Sequence, residues 1–193
     1  MMRKPNALAM KVCLETGLRI SDVLGITRKQ VFQNTFTVKE NKTGKKRKIR
    51  LSNELKRECQ AAAGAFYLFE GRDGIYTHRT RQAVTKDLKN VLVALERAGY
   101  MPRITSKKVR AKGKLVVGTH SMRKTFAHML EEQGKDVTEI QHYLNHDREA
   151  TTLVYIMAAE IDFRKTRNTN AIKNTATGGG GIPISHCNWL AAN

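Results

Sequence analysis

The stretch Glu15-Thr16-Gly17-Leu18-Arg19-Ile20-Ser21-Asp22 sets an arginine in a corner between two helices. Ahead of it, Leu8, Val12 and Glu15 recur at helical spacing after Pro5, and Gly17 is a good helix terminator. Behind it, Ser21 is expected to cap a short second helix running through Leu24. Arg19 is thereby pinned, with Asp22 three residues on and able to hold its guanidinium; a purely structural Arg–Asp pair is the plain alternative.

Working outward, Thr35-Phe36-Thr37-Val38-Lys39 and Lys48-Ile49-Arg50-Leu51 alternate polar and apolar residues, and Asn41-Lys42-Thr43-Gly44 between them supplies turn chemistry. A β-hairpin follows, with Val31-Phe32 a candidate third short strand. Ser52 can cap a helix whose apolar stripe is Leu55, Cys59, Ala62 and Phe66. A second stripe, Val84, Leu88, Val91, Leu95 and Ala98, ends at Gly99. Tyr100 to Gly118 is basic and irregular. A helix is expected over Ser121 to Gln133, with Phe126, Met129 and Leu130 inward and Gly134 as its stop. Asp136 with Glu139 resembles a capping box opening a helix over Val137 to Leu144, and a last helix is expected to contain Leu153 to Arg164. The fold class is mainly α with a small antiparallel β-sheet (α+β). The run Gly178 to Gly181 reads as a flexible linker, and the remainder through Trp189 has no periodicity: a docking segment, or an expression or reading-frame remnant.

The 193 residues contain 35 Lys plus Arg against 17 Asp plus Glu, a formal charge of +18. In a globular composition such a balance points to a polyanion, with DNA or RNA the default. An anionic membrane surface is the alternative, but that would favour a long helix with one basic face. Here the cations cluster in turn and hairpin segments: Lys42 to Arg50, Arg79 to Arg81, and Arg103 to Lys114. No apolar run approaches the roughly 20 residues that span a bilayer, and the N-terminus leads into a polar-interrupted helix rather than a signal-peptide apolar region. Cys13, Cys59 and Cys187 are odd in number and lack metal-type spacing, so no disulfide framework or zinc site is indicated.

Two further groupings carry chemistry. His120-Ser121-Met122-Arg123, at a helix start, puts an imidazole and a guanidinium on one face, an arrangement suited to an anion; a solvated surface pair is the simpler reading. Asn145-His146 is followed nine residues later by Tyr155, so that His146 after one helix and Tyr155 early in the next can converge. A tyrosine becomes a nucleophile when its proton can be removed and the anion stabilised; within Leu153, Val154 and Ile156 it could equally be a core residue.

Together these residues resemble the catalytic domain of the tyrosine recombinase (phage integrase) family. Glu15 to Asp22 is similar to the box carrying its first catalytic arginine, and Lys42-Thr43-Gly44-Lys45 to its β-hairpin lysine motif. Thr119 to Ala127 is similar to its His-x-x-Arg box, and Leu144-Asn145-His146 with Thr151 to Tyr155 to its terminal His and nucleophilic Tyr box. Four boxes in order make the resemblance specific. Asn145 stands where glycine is commonest, a departure that Asn tolerates because it adopts the left-handed conformation readily.

The resemblance implies a catalytic domain over residues 1–168, a linker and tail over 169–193, and no N-terminal core-binding domain. It implies that Tyr155 attacks a scissile DNA phosphate to give a 3′-phosphotyrosyl bond and a free 5′-hydroxyl. Arg19 and Arg123 then hold the non-bridging oxygens, His146 donates a further hydrogen bond, His120 assists proton movement, Lys42 protonates the leaving oxygen, and Asp22 orients. Lys45, Lys46 and Lys48 compete with Lys42 for the acid role. With Arg47, Arg79, Arg81 and Lys124 they otherwise read as duplex-phosphate contacts. No metal and no other cofactor is implied, since arginines do the work of a divalent ion, and no ATP, since the covalent link conserves the phosphodiester energy. The implied partner is double-stranded DNA, bound by a homo-tetramer in the cytoplasm of a bacterial host, with no membrane and no small-molecule substrate. Two alternatives are a type IB topoisomerase-like relaxation of one strand and a non-catalytic DNA-binding integrase fragment.

Overall fold

The computed structural model describes residues 2–99 and 117–157. Most of the basic segment from Tyr100 to Gly118, the expected helix beyond residue 157, Cys187 and the glycine-rich tail lie outside them. The described elements run α1 (Lys4–Thr16), α2 (Ile20–Leu24), α3 (Arg28–Val31), β1 (Phe36–Lys39), β2 (Lys46–Ile49), α4 (Asn53–Ala62), α5 (Arg81–Arg97), α6 (Ser121–Glu132) and α7 (Val137–Leu144), with further helix over 149–157. The arrangement is the expected one: helices around one two-stranded antiparallel sheet.

Helix α1 opens with Pro5 in its first turn, where a missing N–H costs nothing. It closes on Gly17, whose φ of 64° is left-handed and whose N–H donates to Cys13 O at 2.9 Å. A Cβ at Gly17 would lie 2.3 Å from Phe126 Cδ1 on α6. Conformation and space thus both demand glycine where α1 meets α6. Gly17→Ala is expected to lower stability by about 3 kcal/mol, combining the left-handed penalty with overpacking against the ring. Urea unfolding measures this, and a loss below about 1 kcal/mol would mean that the α1–α6 contact is soft.

The next cap differs from expectation. Ser21 lies inside α2, and Arg19 is the N-cap, its extended backbone (φ −71°, ψ 147°) leaving its carbonyl to accept from Asp22 N and Val23 N. Val31-Phe32 is likewise not a strand: Val31 ends α3, which opens with a complete capping box between Thr27 and Gln30.

The hairpin pairs Phe36 with Ile49, Thr37 with Lys48, Val38 with Arg47 and Lys39 with Lys46. Alternation therefore sends Phe36, Val38, Arg47 and Ile49 inward and Lys39, Lys46 and Lys48 outward. Ser52 caps α4, accepting from Leu55 N at 3.3 Å, and also binds Glu15 of α1 through its N–H (2.6 Å) and hydroxyl (2.9 Å). Leu55 and Cys59 are buried, but the helix stops at Ala62 because Ala63 is extended, so Ala62 and Phe66 do not complete the inner stripe. In α5 the buried line is Val84, Leu88 and Leu92; Val91 and Leu95 are half-buried and Ala98 is exposed.

Helix α6 buries Arg123, Phe126, Ala127 and Leu130, with Met129 half-buried. Helix α7 has the expected bounds and the Asp136–Glu139 capping box. The last helix begins at 149, earlier than Leu153. One core cluster joins α1, α2, α4, α5 and the inner hairpin face, and a second joins α6, α7 and Ile156. Among the described residues no helix is long and apolar enough to cross a membrane, and no three His, Cys, Asp or Glu side chains gather as a metal-binding group.

Candidate active site

The α1–α2 corner delivers Arg19 to a carboxylate, but not to Asp22. Its Nη1 donates to Glu40 Oε2, and Glu40, one residue past β1, is completely buried. Asp22 instead accepts from Asn41 N at 2.9 Å, fastening the hairpin to the same corner. Burial raises the Asp22 carboxyl above its ordinary range, opposed by the Asn41 N–H and by Arg19. Glu40 also accepts from Asn145 Nδ2 at 3.0 Å through Oε1, with Arg47 Nη1 3.6 Å from that oxygen.

Arg123 is 1% exposed and is anchored on two carbonyls. Its Nη1 donates to Gly17 O at 2.6 Å and its Nη2 to Leu144 O. These are carbonyls at the C-terminal ends of α1 and α7, groups that a helix leaves without internal partners. Arg123 Nε has no hydrogen-bond partner. Burial first, then Arg19, lowers its pKa to about 10, so it stays cationic at neutral pH.

Helix α7 ends on Asn145 with φ of 51°, a left-handed cap that turns the chain so that His146 faces inward. His146 Nδ1 lies 3.0 Å from the buried Thr152 hydroxyl. Its ring meets Tyr155 edge-to-face, with centroids 4.9 Å apart and planes at 71°. Tyr155 is half-buried and near enough to Arg123 that a phenolate there would favour the guanidinium cation. The two arginines, His146 and Tyr155 thus share one locality.

Burial, then Arg123 and Arg19, lower the His146 pKa to about 4, and the ring is neutral at pH 7. Its folded pKa lies below the unfolded 6.5, so the unfolded chain binds the proton first as pH falls. The stabilising contribution is complete above that value and is lost between pH 6.5 and 4. Denaturant unfolding at pH 7 and pH 5 is expected to show a loss of about 2 kcal/mol that His146→Gln removes; an unchanged difference in the variant would place the titration elsewhere. His120 caps α6 as an exposed residue, its pKa lowered by partial desolvation and then by Arg123 and Arg19.

Lys42 is not drawn into this cluster: it is exposed in the hairpin turn. Lys45 Nζ pairs with Asp147 Oδ1 at 2.5 Å, joining the hairpin to the His146 loop. Arg47 departs from its reading as a phosphate contact. It faces inward, Nη2 donating to Thr16 O, because it sits opposite Val38 in the register. Lys46, Lys48 and Arg81 are exposed, and Lys124 and Arg79 are half-buried, the Arg79 Nε being without a hydrogen-bond partner. The sequence assigns no role to Glu40, or to Thr152 within the tyrosine box; the inward beat Phe36, Val38, Glu40 is the available signal for the first.

On this helical scaffold a buried arginine and a half-buried one thus stand beside a histidine–tyrosine pair. Residues 2–160 match the model of the phage integrase family, and the chain belongs to that family. The "Probable integrase/recombinase YoeC" of Bacillus subtilis (strain 168) is 32% identical over 148 residues, covering 74% of this chain and 72% of that protein. Among solved structures, the XerH site-specific recombinase bound to difH substrate aligns with TM-score 0.57 and 22% identity over 79% of this chain. The Tn1549 transposon integrase in complex with a circular intermediate DNA gives 0.57 and 20% over 78%. The integrase from mycobacterium phage Brujita gives 0.55 and 20% over 84%. The chain spans 43% of the XerH chain and 52% of each of the other two.

Proposed function

We propose that this chain is the catalytic domain of a site-specific DNA recombinase that cleaves and rejoins strands through a 3′-phosphotyrosyl intermediate on Tyr155. The observation that carries the reading is the meeting of Arg19, Arg123, His146 and Tyr155 from distant parts of the sequence around one interior patch.

The chemistry follows from charge. Attack of the Tyr155 oxygen on the scissile phosphorus forms a P–O bond to the phenol and breaks the bond to the 5′-oxygen of the next nucleotide. Negative charge accumulates on the non-bridging oxygens in the transition state, and preorganised guanidinium donors stabilise it. Arg123, aimed by its two carbonyl tethers, and Arg19, aimed by Glu40, supply those donors. His146 is neutral at pH 7; in the tautomer whose Nδ1 accepts from the Thr152 hydroxyl, the ring proton is on Nε2, where it can be offered to a phosphate oxygen. His120, held below its ordinary pKa, accepts the phenolic proton. Lys42 protonates the departing 5′-oxygen once duplex DNA draws the hairpin turn inward. Attack by a second 5′-hydroxyl reverses the step and joins a new strand.

The outward lysines Lys39, Lys46 and Lys48, with Lys45, Arg79, Arg81 and Lys124, contact the duplex backbone. A homo-tetramer on two DNA sites, exchanging the segment after Tyr155 between neighbours, is the working assembly, in a bacterial cytoplasm. Residues 1–168 form the catalytic domain and 169–193 a linker and tail.

The test is incubation with a nicked duplex from which the 5′-hydroxyl fragment diffuses away. The expected product is a protein–DNA adduct whose peptide map places the bond on Tyr155 and whose DNA is linked by its 3′-phosphate. An adduct on another residue, or none, overturns the assignment.

A further inference from the structure

We propose that Glu40 is a positioning residue for strand cleavage: its buried carboxylate holds the Arg19 guanidinium in working orientation and, through Asn145, sets the loop carrying His146. The inference rests on the functional reading above and adds to it a residue absent from the four sequence boxes.

Glu40 lies between Lys39 and Asn41 in a strongly basic hairpin, where a solvated carboxylate would be unremarked, yet it has 0% exposure. An acid so placed persists only if its oxygens are matched. Each oxygen is matched, by groups from different segments. Oε2 takes Arg19 from the α1–α2 corner; Oε1 takes Asn145 from the end of α7, with Arg47 of β2 alongside. The Glu40 backbone closes the lysine turn: its N–H donates to Lys45 O at 2.9 Å, and its carbonyl accepts from Gly44 N at 2.8 Å. One residue therefore joins the lysine turn, the first arginine and the histidine loop.

Asn145 supports the same conclusion. A left-handed cap is satisfied by glycine, so conformation alone gives no reason for a side chain there. The Asn145 amide supplies the reason, because its donor ends on Glu40.

Charge alone argues against keeping the acid. A carboxylate beside Arg19 weakens the pull of that guanidinium on a phosphate, so removing it without any positioning role would leave cleavage unchanged or faster. A positioning role predicts the opposite sign, since misaligned donors forfeit transition-state stabilisation.

The experiment compares wild type, Glu40→Gln and Asn145→Gly on the nicked duplex, after thermal unfolding has set a temperature at which all are folded. Glu40→Gln is expected to cleave at least about tenfold more slowly with DNA affinity undiminished. The deficit should shrink toward unity when the scissile phosphate is replaced by an uncharged methylphosphonate, which makes fewer demands on guanidinium alignment; general damage to the fold would leave it intact. Asn145→Gly should be slower too, and the double variant no slower than Glu40→Gln, because both act through one contact. Cleavage by Glu40→Gln at or above the wild-type rate, or additive losses in the double variant, overturns the proposal. Should wild type form no adduct, the functional reading fails by itself, and the proposal is decided by nitrogen NMR of the Arg19 guanidinium: restricted Nη rotation that is lost in Glu40→Gln supports it, and rotation equally free in both refutes it.

Discussion

Tyr155→Phe is expected to form no covalent adduct on a nicked duplex, a loss of at least ~10⁴-fold in cleavage, while binding the same DNA as well as wild type does. The phenyl ring keeps the edge-to-face contact with His146, which depends on ring shape rather than on the hydroxyl. Tyr155 is half-buried at the edge of the second core cluster, so the substitution leaves no cavity. Folding and affinity are thus insulated from the change, and only the phenolic oxygen is lost. A gel shift at matched salt beside the adduct assay separates the two quantities. Adduct persisting in the variant would show that another nucleophile does the work.

Arg123→Lys is expected to harm both folding and chemistry, lowering stability by about 3 kcal/mol and cleavage by about 10²–10³-fold. The guanidinium spans two carbonyls, Gly17 O and Leu144 O, that belong to different helices. A lysine ammonium is a point donor and can serve one of them, leaving the other buried without a partner. The same substitution removes Nε, the donor the fold leaves unpaired, and with it a fork that matches phosphate oxygens. Urea titration gives the stability term, and single-turnover cleavage well below the variant's melting range gives the other. A variant as stable as wild type would show that the carbonyl tethers contribute little.

Much of this architecture was legible because local rules coincided with tertiary ones. The Asp136–Glu139 capping box opened α7 where expected, and the turn at Asn41 to Gly44 set the hairpin. The failures have physical causes. Helix α3 is too short to show periodicity, although Thr27 with Gln30 advertised its start. Ser21 is a good cap residue by type, but the extended backbone had already ended at Arg19. Phe66 kept the helical beat after the chain had left the helix at Ala63. At the candidate site, the resemblance names Arg19, Arg123, His146 and Tyr155, whereas the side chains they meet are not legible from it. Asp22 is the nearer carboxylate to Arg19 along the chain, but the fold brings Glu40 to it instead. Arg47 reads as a phosphate contact in the sequence because a run of basic residues hides which of its members points inward.

The double attachment of Arg123 changes how much its presence in any related sequence can testify. A descendant that has abandoned cutting, yet still needs this shape in order to occupy DNA, remains under pressure to keep that arginine, for without it two helix ends come apart. Its survival is therefore poor testimony to a working enzyme. The half-buried tyrosine, which the scaffold could exchange for phenylalanine at little cost, is the better witness.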